Sequence, residues 1–410
     1  MKDANETAGQ KKILFITHLY YPAIGGAERV FQRIAEGLSD RGHAVTVLTS
    51  DATSTEQFFT GADNGLPGRE VLNGVRIVRE SIRDGGYRRF RLLDRIALRA
   101  GPLGVFYRPL VLGPHFGEAF DHILGSEFDA VIAGPVPTTA VFYGLRYRRR
   151  HPSAVSAVIP CMHTHDRLHK TRVNLRAIRS ADRVLALSEH EKAFLVRRGA
   201  DPEKILTIDI GVDERLLSEP KAAPGPVRDY ILYLGQEGKH KRIPLLIRAM
   251  QTLWDKGSAH GLVIAGARTR FSPALDSLIA ALPAGHRAKV ARFNDIDEDL
   301  KIGLLDNSAA LVNPSSHESF GIVFLEAWAR RKPVIGAGIE TIRELIRDGE
   351  TGLLFEDKNA LDLAAKIESL LGDPSGAAGM GEAGYQEVLA RYRWEAVIKA
   401  VEAALFETRE

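Results

Sequence analysis

The chain has 410 residues, 45% hydrophobic and 26% charged, with 38 Gly, 19 Pro and a formal net charge of +3. That composition excludes disorder, collagen and a simple coiled coil, and so small a charge makes no case for nucleic acid as a partner. One Cys excludes an intrachain disulfide, no run approaches the roughly 20 apolar residues of a membrane span, and the polar first ten residues lack the apolar core of a secretory signal. The expectation is a cytoplasmic α/β protein of two domains.

Ordered structure is expected to start at residues 13–17, an apolar run suited to a buried parallel strand. A turn holding Gly25 and Gly26 follows, then a helix with Val30, Phe31, Ile34, Ala35 and Leu38 on one face and Gly42 placed to stop it. Residues 44–49 form the next strand, which completes a βαβ unit. The alternation continues with strands at 75–78, 130–133, 157–159, 184–187 and 205–208. Ser188 and Glu191 read as a capping box opening the helix after the fourth of these. Residues 218–229 carry three Pro and one Gly and read as a linker or extended connection. A second alternating series then places strands at 230–234, 262–265, 290–293, 310–313 and 334–336, and an amphipathic helix at about 394–406. Two doubly wound α/β halves with a cleft between them fit this pattern.

The strongest chemical signal runs from Asn313 to Ala327. A strand ends at Asn313, a turn follows, and a helix is expected to open near Gly321. The first amides of that helix, at Gly321, Ile322 and Val323, suit an anionic phosphate. Glu318 precedes the helix and Glu326 lies inside it, so the two carboxylates bracket its start. They are placed to hold the hydroxyls of a hexose and of a ribose; two solvated glutamates on a strand–turn–helix are the bland alternative. A second signal is the loop from Gln236 to Arg242, rich in Lys and Arg at the end of a strand, where α/β folds bind ligands. Lysine there can offset charge building on a leaving phosphate.

Six segments taken together resemble the retaining glycosyltransferases of family 4, which have the GT-B fold. They are the Tyr-Pro turn ending at Glu28, the strand entry from Arg41 to Val47, Ala181 to Val184 with Ser188, Gly211 to Asp213, the Lys241 loop, and Glu318 to Glu326 followed by Gly349 to Leu353. The resemblance implies an acceptor-side domain at 1–211 and a nucleotide-sugar domain at 212–384, both Rossmann-like and facing a cleft. Residues 385–410 are expected to return to the first domain. It implies that Lys241 helps the nucleoside diphosphate leave, that Glu318 touches the transferred sugar and that Glu326 binds the ribose. Gly25 and Gly26 would approach the diphosphate, His163 would lie near sugar and acceptor, and Phe293 and Asn294 would read the base. Phe320 to Val323 and Gln236 complete the donor set. The family commonly carries Arg where Gln236 stands, and its N-domain strand often carries His-x-His where this chain has residues 132–135. No metal and no cofactor are implied beyond the sugar nucleotide as co-substrate, with UDP favoured over GDP. A sugar-nucleotide epimerase and a silent sugar-nucleotide-binding protein are the alternatives.

Other patterns in the chain have simpler readings. His163, His165 and Asp166 have the spacing of metal ligands but lack a companion set; Cys161 reads as packing; Asp295 and Asp297 read as a helix cap. Residues 76–108 hold nine Arg against three acidic residues, with apolar side chains between, and Arg146, Arg148, Arg149 and Arg150 form a second cluster. A basic, apolar-faced segment suits an anionic membrane surface, so a lipid-linked glycan acceptor and peripheral attachment are expected; a solvated helix is the alternative.

Overall fold

The computed structural model describes residues 9–407 except 24, 56, 61–63, 83–91, 97, 98, 100–103, 105–111, 165 and 219–228. The chain divides into two compact units, the first Met1–Asp209 with Trp394–Glu410 and the second Ile210–Arg393.

The first unit is built on strands β1 (Lys12–Thr17), β2 (Ala44–Ser50), β3 (Arg69–Leu72), β4 (Val75–Glu80), β5 (Ala130–Gly134), β6 (Val155–Val158), β7 (Arg183–Ala186) and β8 (Ile205–Thr207). They form one sheet in the order β3-β4-β2-β1-β5-β6-β7-β8. All neighbours are parallel except β3 and β4. That hairpin was not anticipated, although its turn, Asn73 and Gly74 with φ 48° and 76°, is an Asn-Gly pair of the kind tight hairpins require. The interior strands are apolar runs covered by helices on both faces. Val30, Phe31, Ile34, Ala35 and Leu38 of the Gly26–Asp40 helix are all buried, and Gly42 follows its end at φ 92°.

The second unit holds β9 (Tyr230–Leu234), β10 (Gly261–Gly266), β11 (Val290–Asn294), β12 (Ser308–Asn313), β13 (Val334–Ala337) and β14 (Leu353–Phe355). Their order, β11-β10-β9-β12-β13-β14, runs outward from β9 in both directions, with every pair parallel. Such an order leaves a crevice at the carboxyl ends of the two strands where the winding reverses, here β9 and β12. The Lys241 loop follows β9 and the Glu318 turn follows β12. Topology alone brings the two strongest sequence signals together. The core beneath them includes Ile231, Tyr233, Leu246, Ile264, Val312 and Ile335, none more than 1% exposed. Each such side chain contributes roughly 1.5–3 kcal/mol.

The first crossing, at Asp209/Ile210, lies two residues from the expected 211/212, and the second lies at Arg393/Trp394 where 384/385 was expected. Val212 bridges Arg393, and its amide donates to the Tyr392 carbonyl at 2.8 Å, which holds both ends of the second unit together. Residues 385–391 do not return to the first unit. They finish the Pro374–Arg391 helix, whose Gly384 gives room to the buried Trp328 of the second unit. Only Trp394–Phe406 returns. Its Val397, Ile398, Val401 and Leu405 are buried, Ile398 fits against Gly37, and Glu402 meets Arg41 at 2.5 Å and His43 at 2.7 Å. Most of the expected linker, residues 219–228, lies outside the described residues; Leu216 and Ser218 before it offer their carbonyls to buried Arg330, all within the second unit.

Candidate active site

In the second unit the loop after β9 is fixed backbone to backbone. Gly235 N donates to Ala265 O at 2.9 Å and Glu237 N to Ala267 O at 3.0 Å. Gly266, at φ 146°, lies against Gly235 so closely that a Cβ there would meet the Gly235 oxygen at 2.1 Å. Gln236 is exposed, and its carbonyl accepts from the Tyr233 hydroxyl at 2.8 Å. Glu237, buried, is held by Arg292 of β11 at 2.5 and 2.6 Å, next to Phe293 and Asn294 at the end of that strand. The loop then delivers Lys241, whose Nζ lies 2.6 Å from Glu318 Oε1, with 18% and 12% of the side chains exposed. Asn313 Nδ2 donates to the same carboxylate oxygen at 3.1 Å. Burial alone would raise the Glu318 carboxyl, but the Lys241 charge and the hydrogen bonds from Lys241 and Asn313 overcome it and hold the group below its usual range.

Three residues past Glu318 the chain turns through Gly321, at φ 100°, into the Ile322–Ala329 helix. A Cβ at Gly321 would meet Phe324 at 2.9 Å, so conformation and space both require glycine. Phe320 turns its ring inward onto Tyr392, with centroids 5.8 Å apart, so only its backbone faces the turn's mouth. The first amides of the helix, including Ile322 and Val323, have no carbonyl a turn earlier to bond, and they carry the positive end of its dipole. One turn on, Glu326 is buried, and its Oε1 accepts from Lys301 Nζ at 2.7 Å. Two lysine–glutamate pairs thus stand at the crevice, one before the helix start and one within the helix.

The first unit carries the remaining predicted residues. Gly25 caps the Gly26–Asp40 helix in an extended conformation, and a Cβ on it would meet Glu28 Oε2 at 2.1 Å; nothing lies within 4 Å of a Cβ on Gly26. Glu28 therefore accounts for the first glycine, while open space surrounds the second. Glu28 Oε1 in turn lies 3.3 Å from Nε2 of buried His18. Burial lowers His18 to about 3 and raises the Glu28 carboxyl. His163 follows β6, half-buried, with its ring edge-on to His169 at 5.1 Å. Cys161 beside it is buried, and burial, with Glu191 and Glu28 nearby, drives its thiol well up, which makes it inert. The expected capping box is only half present. Ser188 Oγ accepts from Glu191 N at 3.1 Å, but the Glu191 carboxylate reaches Leu187 N and Met162 N, each at 2.7 Å. It ties the His163 loop to the next strand's end. Asp297 caps the Glu298–Asn307 helix through Leu300 N at 2.8 Å. Among the described residues no three His, Cys, Asp or Glu side chains gather as a metal site would need; His165 is outside them.

Two family models match the chain, one described as a glycosyl transferase 4-like domain over residues 25–211 and one as glycosyl transferases group 1 over residues 219–387. The chain is a GT-B glycosyltransferase of the family 4 type. Over 95% of its length it is 25% identical to a glycogen synthase of Mycobacterium tuberculosis (strain CDC 1551 / Oshkosh), covering 93% of that protein. Its fold matches a sucrose-phosphate synthase from Thermosynechococcus elongatus with a TM-score of 0.74 at 20% identity, covering 96% of this chain and 98% of that one. It also matches Anabaena Alr3699/HepE in complex with UDP-glucose, with a TM-score of 0.71 at 18% identity, covering 97% and 100%.

For this glycosyltransferase the structure unites Lys241, Glu318, Gly321 and Glu326 at one crevice, with Gln236 on the same loop as Lys241. Lys301 was missed. In the sequence it stands three residues after Glu298, where it reads as a surface ion pair, and only folding carries it to Glu326. The two basic clusters are thinner than their composition implied. Arg79 is buried, with an ion pair to Glu70 at 2.6 Å, and half-buried Arg148 is bound to Asp182 at 2.8 Å. Arg76, Arg95, Arg99, Arg149 and Arg150 are exposed, as are Leu92, Leu93 and Ile96; Arg83, Arg88, Arg89, Arg91 and Arg108 are outside the described residues. No helix among the described residues is long and apolar enough to cross a membrane.

Proposed function

We propose that this glycosyltransferase moves a hexose from a nucleoside diphosphate sugar to a hydroxyl of a glycan acceptor, with retention of configuration at the anomeric carbon and uridine as the preferred base. The observation that carries the reading is the 2.6 Å Lys241–Glu318 pair at the switch point, beside the start of the Ile322–Ala329 helix. A diphosphate there takes the amides of Gly321, Ile322 and Val323 and competes for the Lys241 ammonium. As Lys241 turns to the phosphate, Glu318 is released to accept hydrogen bonds from sugar hydroxyls, and Asn313 keeps it in place. Glu326 serves the ribose, and the backbone at Phe293 and Asn294 serves the base. As the glycosidic bond breaks, its electron pair goes to the diphosphate, and Lys241 offsets that charge. The acceptor hydroxyl attacks from the same face, and its proton passes to the leaving phosphate oxygen. No cofactor is required. Catalysis of this kind rests on positioning and electrostatics. UDP is preferred on the likeness to a fold solved with UDP-glucose.

His163 serves the acceptor side, where its loop is anchored by Glu191. The acceptor is lipid-linked and the enzyme is peripheral on the cytoplasmic face of a membrane. Exposed Leu92, Leu93 and Ile96 beside Arg95 and Arg99 support this, since they pair apolar surface with positive charge.

A thermal-shift panel of UDP, GDP and ADP with their common sugars tests the donor. UDP raises the midpoint by mass action, and Glu326→Ala removes the shift. If no nucleotide moves it, the proposed donor site is refuted. Sedimentation with vesicles rich in anionic lipid at low salt tests attachment; protein left in the supernatant refutes it.

A further inference from the structure

Lys301 occupies an unfavourable position. It lies in the first turn of the Glu298–Asn307 helix, where the dipole opposes a cation, and lysine is almost never buried unless paired. Its side chain is nevertheless only 9% exposed and spans to another helix, with Glu326 Oε1 at 2.7 Å and Glu298 Oε2 at 2.8 Å. Glu326 is 7% exposed and lies one turn into the helix whose start faces the crevice. A carboxylate has about four lone-pair positions, so an ammonium on one oxygen fixes the plane of the group without exhausting what it can accept. The charge balance points the same way. A diphosphate draws Lys241 off Glu318, and Gln236 adds no positive charge on that loop. Lys301 is then the cation that stays on the buried Glu326 carboxylate, at 2.7 Å.

We propose that Lys301 is a positioning residue for the sugar-nucleotide donor, holding the Glu326 carboxylate oriented for the ribose hydroxyls. This rests on the reading that Glu326 meets the ribose. Lys301 touches no substrate itself, so its removal is read in binding and in ribose discrimination rather than in turnover.

The test is calorimetric titration of UDP, 2′-deoxy-UDP and 3′-deoxy-UDP into the full-length wild type, Lys301→Met, Glu326→Gln and the double variant. GDP and its deoxy forms provide a second series. Circular dichroism checks folding. Wild type is expected to prefer UDP over at least one deoxy form by tenfold or more. Lys301→Met is expected to weaken UDP by 10- to 100-fold and bring the ratio close to one, with kcat at saturating donor changed less than threefold. In the Glu326→Gln background the Lys301→Met change is expected to do nothing further to the ratio. A folded Lys301→Met with the wild-type ratio and affinity overturns the proposal while leaving the ribose role of Glu326 standing. A Glu326→Gln that keeps the wild-type ratio, or a wild type that binds neither UDP nor GDP, overturns the donor reading itself. Should Lys301→Met not fold, Lys301→Gln, which keeps a hydrogen-bond donor without the charge, makes the same comparison: an unchanged ratio with unchanged affinity counts against the proposal.

Discussion

Lys241 and Glu318 are paired at 2.6 Å in a largely buried setting, so removing one changes more than a contact. In Lys241→Met the Glu318 carboxyl loses the charge that holds it low, and burial then favours its protonated form. The expected outcome is a loss of about 10²–10³ in kcat for sugar transfer, the usual scale for one group that stabilises developing charge. Rates at saturating donor check it, with the melting temperature as a control. Glu191 makes a different prediction. Burial raises its carboxyl to about 7 against two backbone hydrogen bonds. The unfolded chain gives up that proton near 4.5, earlier than the folded one, so this group's contribution to stability falls as pH climbs from about 4.5 to about 7 and is level above. The span is worth about 3 kcal/mol at about 1.4 kcal/mol per unit. Urea unfolding of wild type and Glu191→Gln across that window is expected to show the difference shrinking in favour of the variant; parallel curves refute it. The burial that sets this value was invisible in the sequence, where Glu191 reads as half of a helix cap.

At the scale of elements, the loop that carries Lys241 is held by the loop after β10 through backbone contacts, and Gly266 is the tightest of them. Gly266→Ala is expected to lose about 1–3 kcal/mol and to weaken nucleotide binding, because the new Cβ displaces the Gly235 carbonyl. Gly257→Ala is the control: its φ is also positive, at 91°, but nothing lies within 4 Å of the new Cβ. Stability falls in both, and nucleotide affinity falls only in the first; equal affinities refute the coupling. Elements of this kind were readable to different degrees. The buried strands stood out as apolar runs, and Glu318 and Glu326 stood out because strand, turn and helix follow in sequence. The β3–β4 hairpin was missed because β3 is a half-exposed edge strand without an apolar run, although its Asn73-Gly74 turn was in view. The Lys301–Glu326 and Arg292–Glu237 pairs join residues 25 and 55 positions apart, and no local pattern encodes them.

At the scale of the whole molecule, each unit owns a sheet and a core, but only the second is continuous in sequence. Residues 210–393 carry β9 to β14, Lys241, Lys301, Glu318 and Glu326, and their ends meet at Val212 and Arg393. A fragment of those residues is expected to fold cooperatively and to bind UDP without transferring sugar. Thermal unfolding with and without UDP checks this; an unfolded fragment refutes it. The first unit has no such independence. Its Gly26–Asp40 helix buries a face against Trp394–Phe406, a segment more than 350 positions later by number. The return of the chain was expected from the resemblance, but where it turns back depended on Gly384 and Tyr392, whose roles need the packed structure.

That discontinuity sets an order of events on the ribosome. Residues of the first unit emerge first, yet their sheet lacks one covering helix until the segment at 394–406 has been made. At roughly 5–20 residues per second, the intervening 210–393 stretch takes on the order of ten to forty seconds to synthesise. During that interval the face of the Gly26–Asp40 helix at Gly37 lacks its Ile398 partner, while the second unit has its whole sequence. The half of the enzyme translated first is therefore the half completed last.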